Sequence, residues 1–361
     1  MFHLRSMAKQ KISVVDFFSG CGGTSCGLRD AGMDIVLGLD HDADCGKTFQ
    51  RNLKGARFIT GDILELQPQY LFEDMSVPNG PLLFAGCAPC QPFTKQRTTK
   101  RGTKDERRHL LLAFGKMVEH WLPDFVLVEN VPGLKSDASK SAPFSRFLAL
   151  LRKHGYHFNY NTVAARDYGV PQKRQRLVLM ASRHGPIQLP DATHGPVRSI
   201  EYSTVRQWIS ALPILSAGEQ CEKDANHRTA ALSEVNLKRI RHTPEGGGRE
   251  SWPPSLLLKC HAKHQGHSDV YGRLWWDKPA SALTTRCLSY SNGRFGHPEQ
   301  DRAISAREAA CLQTFPRNWV FEGSLQSISR QIGNAVPPLM AKAIGRVFIE
   351  HATALIQRKS A

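Results

Sequence analysis

Two side chains of complementary chemistry stand at matching places in this 361-residue chain. Cys90 lies in G-C-A-P-C-Q-P-F-T, residues 86 to 94, directly after the apolar run Pro81-Leu82-Leu83-Phe84-Ala85. Glu129 lies in Glu129-Asn130-Val131-Pro132, directly after Phe125-Val126-Leu127-Val128. Pro89 and Pro92 remove amide donors and pin the backbone on both sides of the thiol, so Cys90 cannot be mid-helix and is presented rigidly. Open α/β sheets place their chemistry at the carboxyl ends of such strands. A thiol and a carboxyl at neighbouring strand ends suggest a nucleophile with a proton donor.

A second constellation precedes them. The segment Asp16-Phe17-Phe18-Ser19-Gly20-Cys21-Gly22-Gly23 follows an apolar strand signature, and its three glycines let the backbone turn sharply and approach a ligand. Asp40 comes twenty residues after Gly20, the spacing at which a carboxylate holds ribose hydroxyls, and Asp62 ends a third strand in Thr60-Gly61-Asp62-Ile63. A nicotinamide cofactor fits poorly, because Ser25 stands where the dinucleotide fingerprint needs Gly or Ala. S-adenosylmethionine fits better: Asp40 suits its ribose, Asp62 and Ile63 its adenine edge, and an acidic pocket its sulfonium.

The elements that must position these groups read as alternating strands and helices. Strands are expected over Lys11 to Phe18, Ile35 to Asp40, Arg57 to Thr60, Leu82 to Ala85, Phe125 to Val128, Tyr156 to Val163 and Arg176 to Ala181. Helices are expected over Gly22 to Ala31 and Asp42 to Asn52, and Leu110, Phe114, Met117, Val118 and Trp121 carry helical spacing within 107 to 121. This alternation argues for a doubly wound α/β sheet. From about Pro186 the periodicity weakens and Gly, Pro, His and Arg become frequent, which marks a smaller, looser domain. A final helix opening at Pro337-Pro338 carries an apolar stripe that must pack on something, most simply the large sheet. The expected division is therefore 1–185, completed by 327–361, against 186–326.

The net charge is +16, from 48 basic against 32 acidic residues, and it points to a polyanion, nucleic acid above all. Nine cysteines without disulfide-scaffold spacing fit a reducing compartment. No stretch approaches the roughly 18 apolar residues of a membrane span and no secretory leader is evident, so a soluble cytoplasmic protein without membrane contact is expected. Two metal readings compete: Cys87 and Cys90 with Cys21 and Cys26, or Cys260 with His261, His264 and His267. The first spacing is loose and the second lies in an unassigned loop, so no metal is assigned. A redox C-x-x-C is disfavoured by the Gln-Pro-Phe that follows Cys90.

Taken together, these motifs resemble the DNA (cytosine-5)-methyltransferases along nearly the whole chain. D-F-F-S-G-C-G-G, P-C-Q, E-N-V, Q-K-R-Q-R at 172 to 176, R-E-A-A-C-L-Q-T-F-P at 307 to 316 and G-N-A-V-P-P at 333 to 338 occur in that family's order. The resemblance implies a Rossmann-like class I methyltransferase sheet with a last antiparallel strand. The smaller, mostly irregular or β domain would carry target recognition between Pro190 and Arg294, and the C-terminal helix would pack back on the first motif.

It further implies that Cys90 attacks C6 of cytosine, that Glu129 holds N3 and the exocyclic amine, that Arg176 contacts the base O2 and that Arg174 helps position Glu129. Phe18, Ser19, Gly20, Gly22, Asp40, His41, Asp62, Ile63 and Asn334 form the expected cofactor set. Pro89, Gln91, Thr94, Lys95 and Arg97 form the expected contacts to the base and DNA. Base chemistry inside a duplex requires the target nucleotide to be flipped out. Water is the expected acceptor for the departing H5. Asp40 stands where Glu is commoner, His41 where a larger aromatic often stacks, Thr94 where Ser is commoner and Cys311 where Arg is usual. The expected partner is duplex DNA, with a cognate restriction endonuclease as functional companion, a nucleoid-associated location and a monomeric state. Two rivals remain, a tRNA cytosine-5 methyltransferase on the same fold, which shares P-C-Q-P-F-T, and an inactive nucleic-acid-binding relative.

Overall fold

A computed structural model describes residues 11–88, 109–136, 139, 142–258 and 269–360. The chain packs as two units. Unit 1 comprises the chain to Ala164, Gln175–Ala192 and the chain from Pro338; unit 2 comprises Ala165–Arg174 and Thr193–Pro337. The sequence places the boundary near 185 and assigns 327–337 to the larger domain, whereas here that segment and the short 165–174 excursion pack within unit 2.

Unit 1 is built on a seven-stranded sheet. Its strands are β1 (Ser13–Phe17), β2 (Asp34–Asp40), β3 (Arg57–Thr60), β4 (Leu82–Gly86), β5 (Phe125–Asn130), β6 (His157–Ala164) and β7 (Gln175–Ser182), in the order β3-β2-β1-β4-β5-β7-β6. β1 through β5 run parallel, and β7 runs antiparallel to both β5 and β6. The order reverses between β1 and β4, so the Gly-turn and the chain that leads on to Cys90 leave adjacent strands at the topological switch point, where such sheets bind ligands. All five residues of β1 and of β4 are buried, as expected of parallel strands covered on both faces.

Helices α1 (Gly23–Ala31), α2 (Ala43–Asn52), α3 (Leu110–Trp121), α4 (Pro143–Lys153) and the long C-terminal helix of this unit (Pro338–Ser360) cover the sheet. α2 starts because Asp42 accepts the amides of Asp44 and Cys45, an N-cap that ends β2 cleanly. α4, which the sequence reading left unassigned, opens at Pro143 and buries Phe144, Phe147, Leu148 and Leu151 at helical spacing. The core is aromatic at its centre: Phe17 meets Phe84 at 5.1 Å and Phe114 at 5.2 Å, edge to face. The C-terminal helix crosses α1 at Gly27, where a Cβ would stand 2.2 Å from the Pro338 carbonyl oxygen and 2.5 Å from Ala341 Cβ. Only glycine permits that approach, and the apolar stripe continues through Ile344 to Phe348, whose ring lies 5.4 Å from Phe125.

Unit 2 has little sheet. It holds α5 (Val205–Ile209), a two-stranded ribbon β8 (Gln220–Cys221) with β9 (Asp224–Arg228), then α6 (Glu234–Arg241), α7 (Ala306–Leu312) and α8 (Leu325–Asn334), which makes the C-terminal helix of unit 1 α9. Its centre packs Ile240, Trp252, Tyr290 and Ala303. Among the described residues no helix is long and apolar enough to cross a membrane.

Candidate active site

The turn after β1 is bent by more than its glycines. Gly20 and Gly22 have φ of +51° and +86°, and Phe18 also adopts a left-handed φ of +58°. For a residue with a Cβ this costs about 1–2 kcal/mol, a strain that sequence patterning did not reveal. The turn is stitched to the end of β2: Ser19 N–H donates to the Leu39 carbonyl at 3.0 Å and Gly20 N–H to Asp40 Oδ2 at 2.9 Å. Asp40 Oδ1 accepts the Asp42 amide at 3.0 Å and lies 3.3 Å from His41 Nδ1, a contact that raises the His41 pKa although its ring is largely exposed. Gly61 N–H donates to the Asp40 carbonyl, and Asp62 Oδ1 accepts the Leu64 amide at 2.9 Å, with Ile63 buried beside it. Phe18, Ser19, Gly20, Gly22, Asp40, His41, Asp62 and Ile63 thus gather at three adjacent strand ends. Asn334 belongs to unit 2.

Two observations test whether a cationic nucleoside such as S-adenosylmethionine suits these residues. A Cβ added at Gly20 would meet nothing within 4 Å, so the turn presents an open backbone face. Beneath it, Asp16 is fully buried; its Oδ2 accepts the Ser25 hydroxyl at 2.6 Å, and its Oδ1 has no hydrogen-bond partner. Burial, opposed by the Ser25 hydrogen bonds and aided by the nearby charge of Asp40, pushes the Asp16 carboxyl up to about 7. The carboxyls of Asp40 and Asp62 beside an open backbone cradle favour a positive ligand.

Glu129, 6% exposed, is delivered by β5, and Arg176 by the second position of β7. Arg176 Nε lies 2.8 Å from Glu129 Oε1. That oxygen is buried and receives no hydrogen bond of ordinary geometry, so the pair is ionic contact without alignment. The neighbour of Glu129 is therefore Arg176, the arginine to which the resemblance gives the base O2. Arg174, to which it gives the positioning of Glu129, bonds instead to the carbonyls of Leu283, Gly333 and Asn334.

Asn130 carries a role that the E-N-V motif does not reveal by its residue types alone. Its Nδ2 donates to the Ala88 carbonyl at 3.1 Å and its Oδ1 accepts the Val131 amide at 2.9 Å, tying the end of β5 to the chain two residues before Cys90. Pro89, Cys90, Gln91, Thr94, Lys95 and Arg97 lie outside the described residues. The other thiol of the C-x-x-C, Cys87, contacts Thr24 Oγ1 at 3.4 Å. Burial first, then the charges of Glu129 and Asp16, hold Cys87 far above the usual thiol range, which keeps it an unreactive thiol. Among the described residues no group of three or more His, Cys, Asp or Glu side chains could hold a metal ion; Cys90 and the segment 260–267 lie outside them.

Comparison with known proteins adds to this geometry. The family described as C-5 cytosine-specific DNA methylase matches residues 12–350. The Type II methylase M.HgiDII of Herpetosiphon aurantiacus is 41% identical over 341 residues, covering 92% of this chain and 94% of that protein. The Type II methyltransferase M1.HphI of Haemophilus parahaemolyticus is 31% identical, covering 94% and 87%. Among solved structures, DNMT2 of Spodoptera frugiperda, in a triply substituted form, shares the fold with a TM-score of 0.62 at 17% identity, covering 94% of this chain and all of that one.

Proposed function

The chain belongs to the C-5 cytosine-specific DNA methylase family, and from that premise we propose which of its residues carry the reaction. The enzyme transfers a methyl group from S-adenosylmethionine to C5 of cytosine in DNA. Cytosine C5 is too weak a nucleophile to take the methyl group unaided. In our reading the Cys90 thiolate adds to C6, and the electron pair released toward C5 makes that carbon enamine-like. Glu129 holds N3 and the exocyclic amine and donates a proton to N3 as the ring electrons shift, and Arg176 keeps the Glu129 side chain in place while contacting the base O2. The bound cofactor supplies an electrophilic methyl on a sulfonium. Loss of the C5 proton to water then returns the electron pair, the Cys90–C6 bond breaks with the thiolate as leaving group, and N3 gives its proton back to Glu129.

Phe18, Ser19, Gly20, Gly22, Asp40, His41, Asp62 and Ile63, with Asn334, would hold the cofactor. Pro89, Gln91, Thr94, Lys95 and Arg97 would meet the flipped base and the DNA backbone. The names of the relatives support a restriction-modification setting, with an endonuclease reading the same sequence, and we infer a monomer that works along the nucleoid.

One observation carries the assignment: the buried Glu129 oxygen that lacks a hydrogen bond stands beside Arg176, while Asn130 anchors the chain that leads to Cys90. Expression in a bacterial host without cytosine methylation, followed by genome-wide mapping of 5-methylcytosine, tests it. A single short sequence should become methylated in the wild type and stay unmodified with Cys90→Ala. An unmodified genome with the wild type, or methylation that survives Cys90→Ala, overturns the reading.

A further inference from the structure

Arg174 is 2% exposed, and its guanidinium serves the backbone of unit 2. Nη1 donates to the Leu283 carbonyl at 3.0 Å and to the Gly333 carbonyl at 3.1 Å, and Nη2 reaches the Asn334 carbonyl at 3.5 Å. Gln172, fully buried two residues earlier, donates to Gln313 Oε1 at 2.5 Å and accepts the Leu283 amide at 2.9 Å. Gln313 in turn donates to the carbonyls of Ile332 at 3.0 Å and Ala335 at 2.6 Å. The last turn of α8 thus has the carbonyls of residues 332, 333, 334 and 335 all taken by two buried side chains. A helix end leaves its last carbonyls short of intrahelical partners, and here a side-chain clamp adds to the Ala335 amide that caps Gln331 and Ile332.

The fit is close on the other side as well. A Cβ at Gly333 would stand 2.1 Å from the Thr284 carbonyl oxygen, so the turn lies directly on the 283–285 backbone. At the centre of this clamp Asn334 alone is exposed, flanked by buried Gly333 and Ala335. Asn334 thus presents an exposed amide that can both donate and accept, on a backbone whose carbonyls are held by Arg174 and Gln313.

We infer that Arg174 and Gln172 are positioning residues for Asn334, so that the first arginine of Q-K-R-Q-R governs cofactor binding while the second, Arg176, stays with Glu129 and the base. The inference rests on the reading of Asn334 as a cofactor contact. Arg174→Lys keeps the charge but loses the planar fork that reaches three carbonyls.

The test is isothermal titration of S-adenosylmethionine into the full-length, DNA-free enzyme, with steady-state kinetics on duplex DNA alongside. Asn334→Ala, Arg174→Lys and Gly333→Ala should each weaken cofactor affinity by about ten-fold or more, with KM for the cofactor rising by more than kcat falls. Arg174→Lys placed on top of Asn334→Ala should add less than about two-fold, because the two act through one side chain. Unchanged affinity in Asn334→Ala overturns the cofactor role of Asn334. Weakened binding in Asn334→Ala with unchanged binding in both Arg174→Lys and Gly333→Ala overturns the positioning role. A fall in kcat without a change in KM for Arg174→Lys places Arg174 at the base and also overturns it. Should Arg174→Lys fail to fold, Gly333→Ala carries the same test with Arg174 left in place.

Discussion

In unit 1 the carbonyls of seven strands are taken by one another's amides, whereas in unit 2 many are taken by arginine. Arg273 alone donates to the carbonyls of Thr243, Ile240, His297 and Gln300. Arg294 holds those of Gly246, Gly247 and Arg273, and Arg302 those of Leu215 and Ala303. Buried carbonyls must find donors, and a region whose only named ladder among the described residues is the short β8–β9 ribbon must recruit side chains for the purpose. The comparison also changes the meaning of the +16 charge. Arg273, Arg294, Arg302 and Arg307 face Asp301, Asp269, Glu308 and Asp224, so these four hold the fold and leave DNA to the exposed cations.

The largest effects should separate the two strategies. Arg302 and Glu308 are 0% and 1% exposed and bonded through both carboxylate oxygens at 2.7 Å. Arg302→Met leaves that carboxylate buried with the Ser305 amide but without its guanidinium and should destabilise unit 2 by about 3–5 kcal/mol, with Arg302→Met/Glu308→Leu recovering only the part due to the stranded charge, since the Leu215 and Ala303 carbonyls stay without Arg302. Phe114→Ala, at the centre of the aromatic core of unit 1, should cost a similar 3–5 kcal/mol or so with no such rescue by a second substitution. Chemical denaturation of the four proteins checks both, and equal losses in the single and double arginine variants would remove the distinction.

A smaller effect has opposite signs in the two units. The Asp16 carboxyl titrates near 7 in the fold and near 3.8 outside it, so its contribution to stability is full below about pH 4 and is lost as the pH rises through 7. Asp16→Asn should therefore gain on the wild type as the pH is raised from 5 to 8, by no more than about 3 kcal/mol. In unit 2, burial outweighs the nearby Glu308 and holds His297 down to about 4. Its contribution is present above about pH 6.5 and lost as the pH falls through 4. Melting temperatures of the wild type, Asp16→Asn and His297→Gln across pH 4–8 read both slopes. Parallel curves for all three would refute the pair. The smallest effect belongs to the exposed Arg206–Asp277 pair, bonded at 2.7 and 2.8 Å on the surface of unit 2. Arg206→Gln should leave the melting temperature where it is, since exposed pairs contribute little.

The same contrast explains what could be read in advance. The strand ends that carry Gly20, Asp40, Asp62 and Glu129 were legible because buried parallel strands are apolar runs closed by Gly, Pro or an acid. β1 begins two residues later than expected and ends one earlier, because Phe18 has already entered the left-handed turn. Unit 2 resisted reading because an arginine bonded to carbonyls leaves no periodicity behind it. Arg174 and Arg176 show the limit most sharply. Two residues apart in one motif, they look alike in sequence, yet β7 begins at Gln175 and divides them between the two units.

The account's central claim is the covalent step, and duplex DNA bearing 5-fluorocytosine at the mapped target position tests it most directly. With S-adenosylmethionine present, the fluorine cannot leave as H5 does, so the enzyme should remain bound to DNA under denaturing conditions, with the crosslinked peptide containing Cys90 and no adduct formed by Cys90→Ser. Absence of a crosslink, or a crosslink carried by Cys87, would contradict the account.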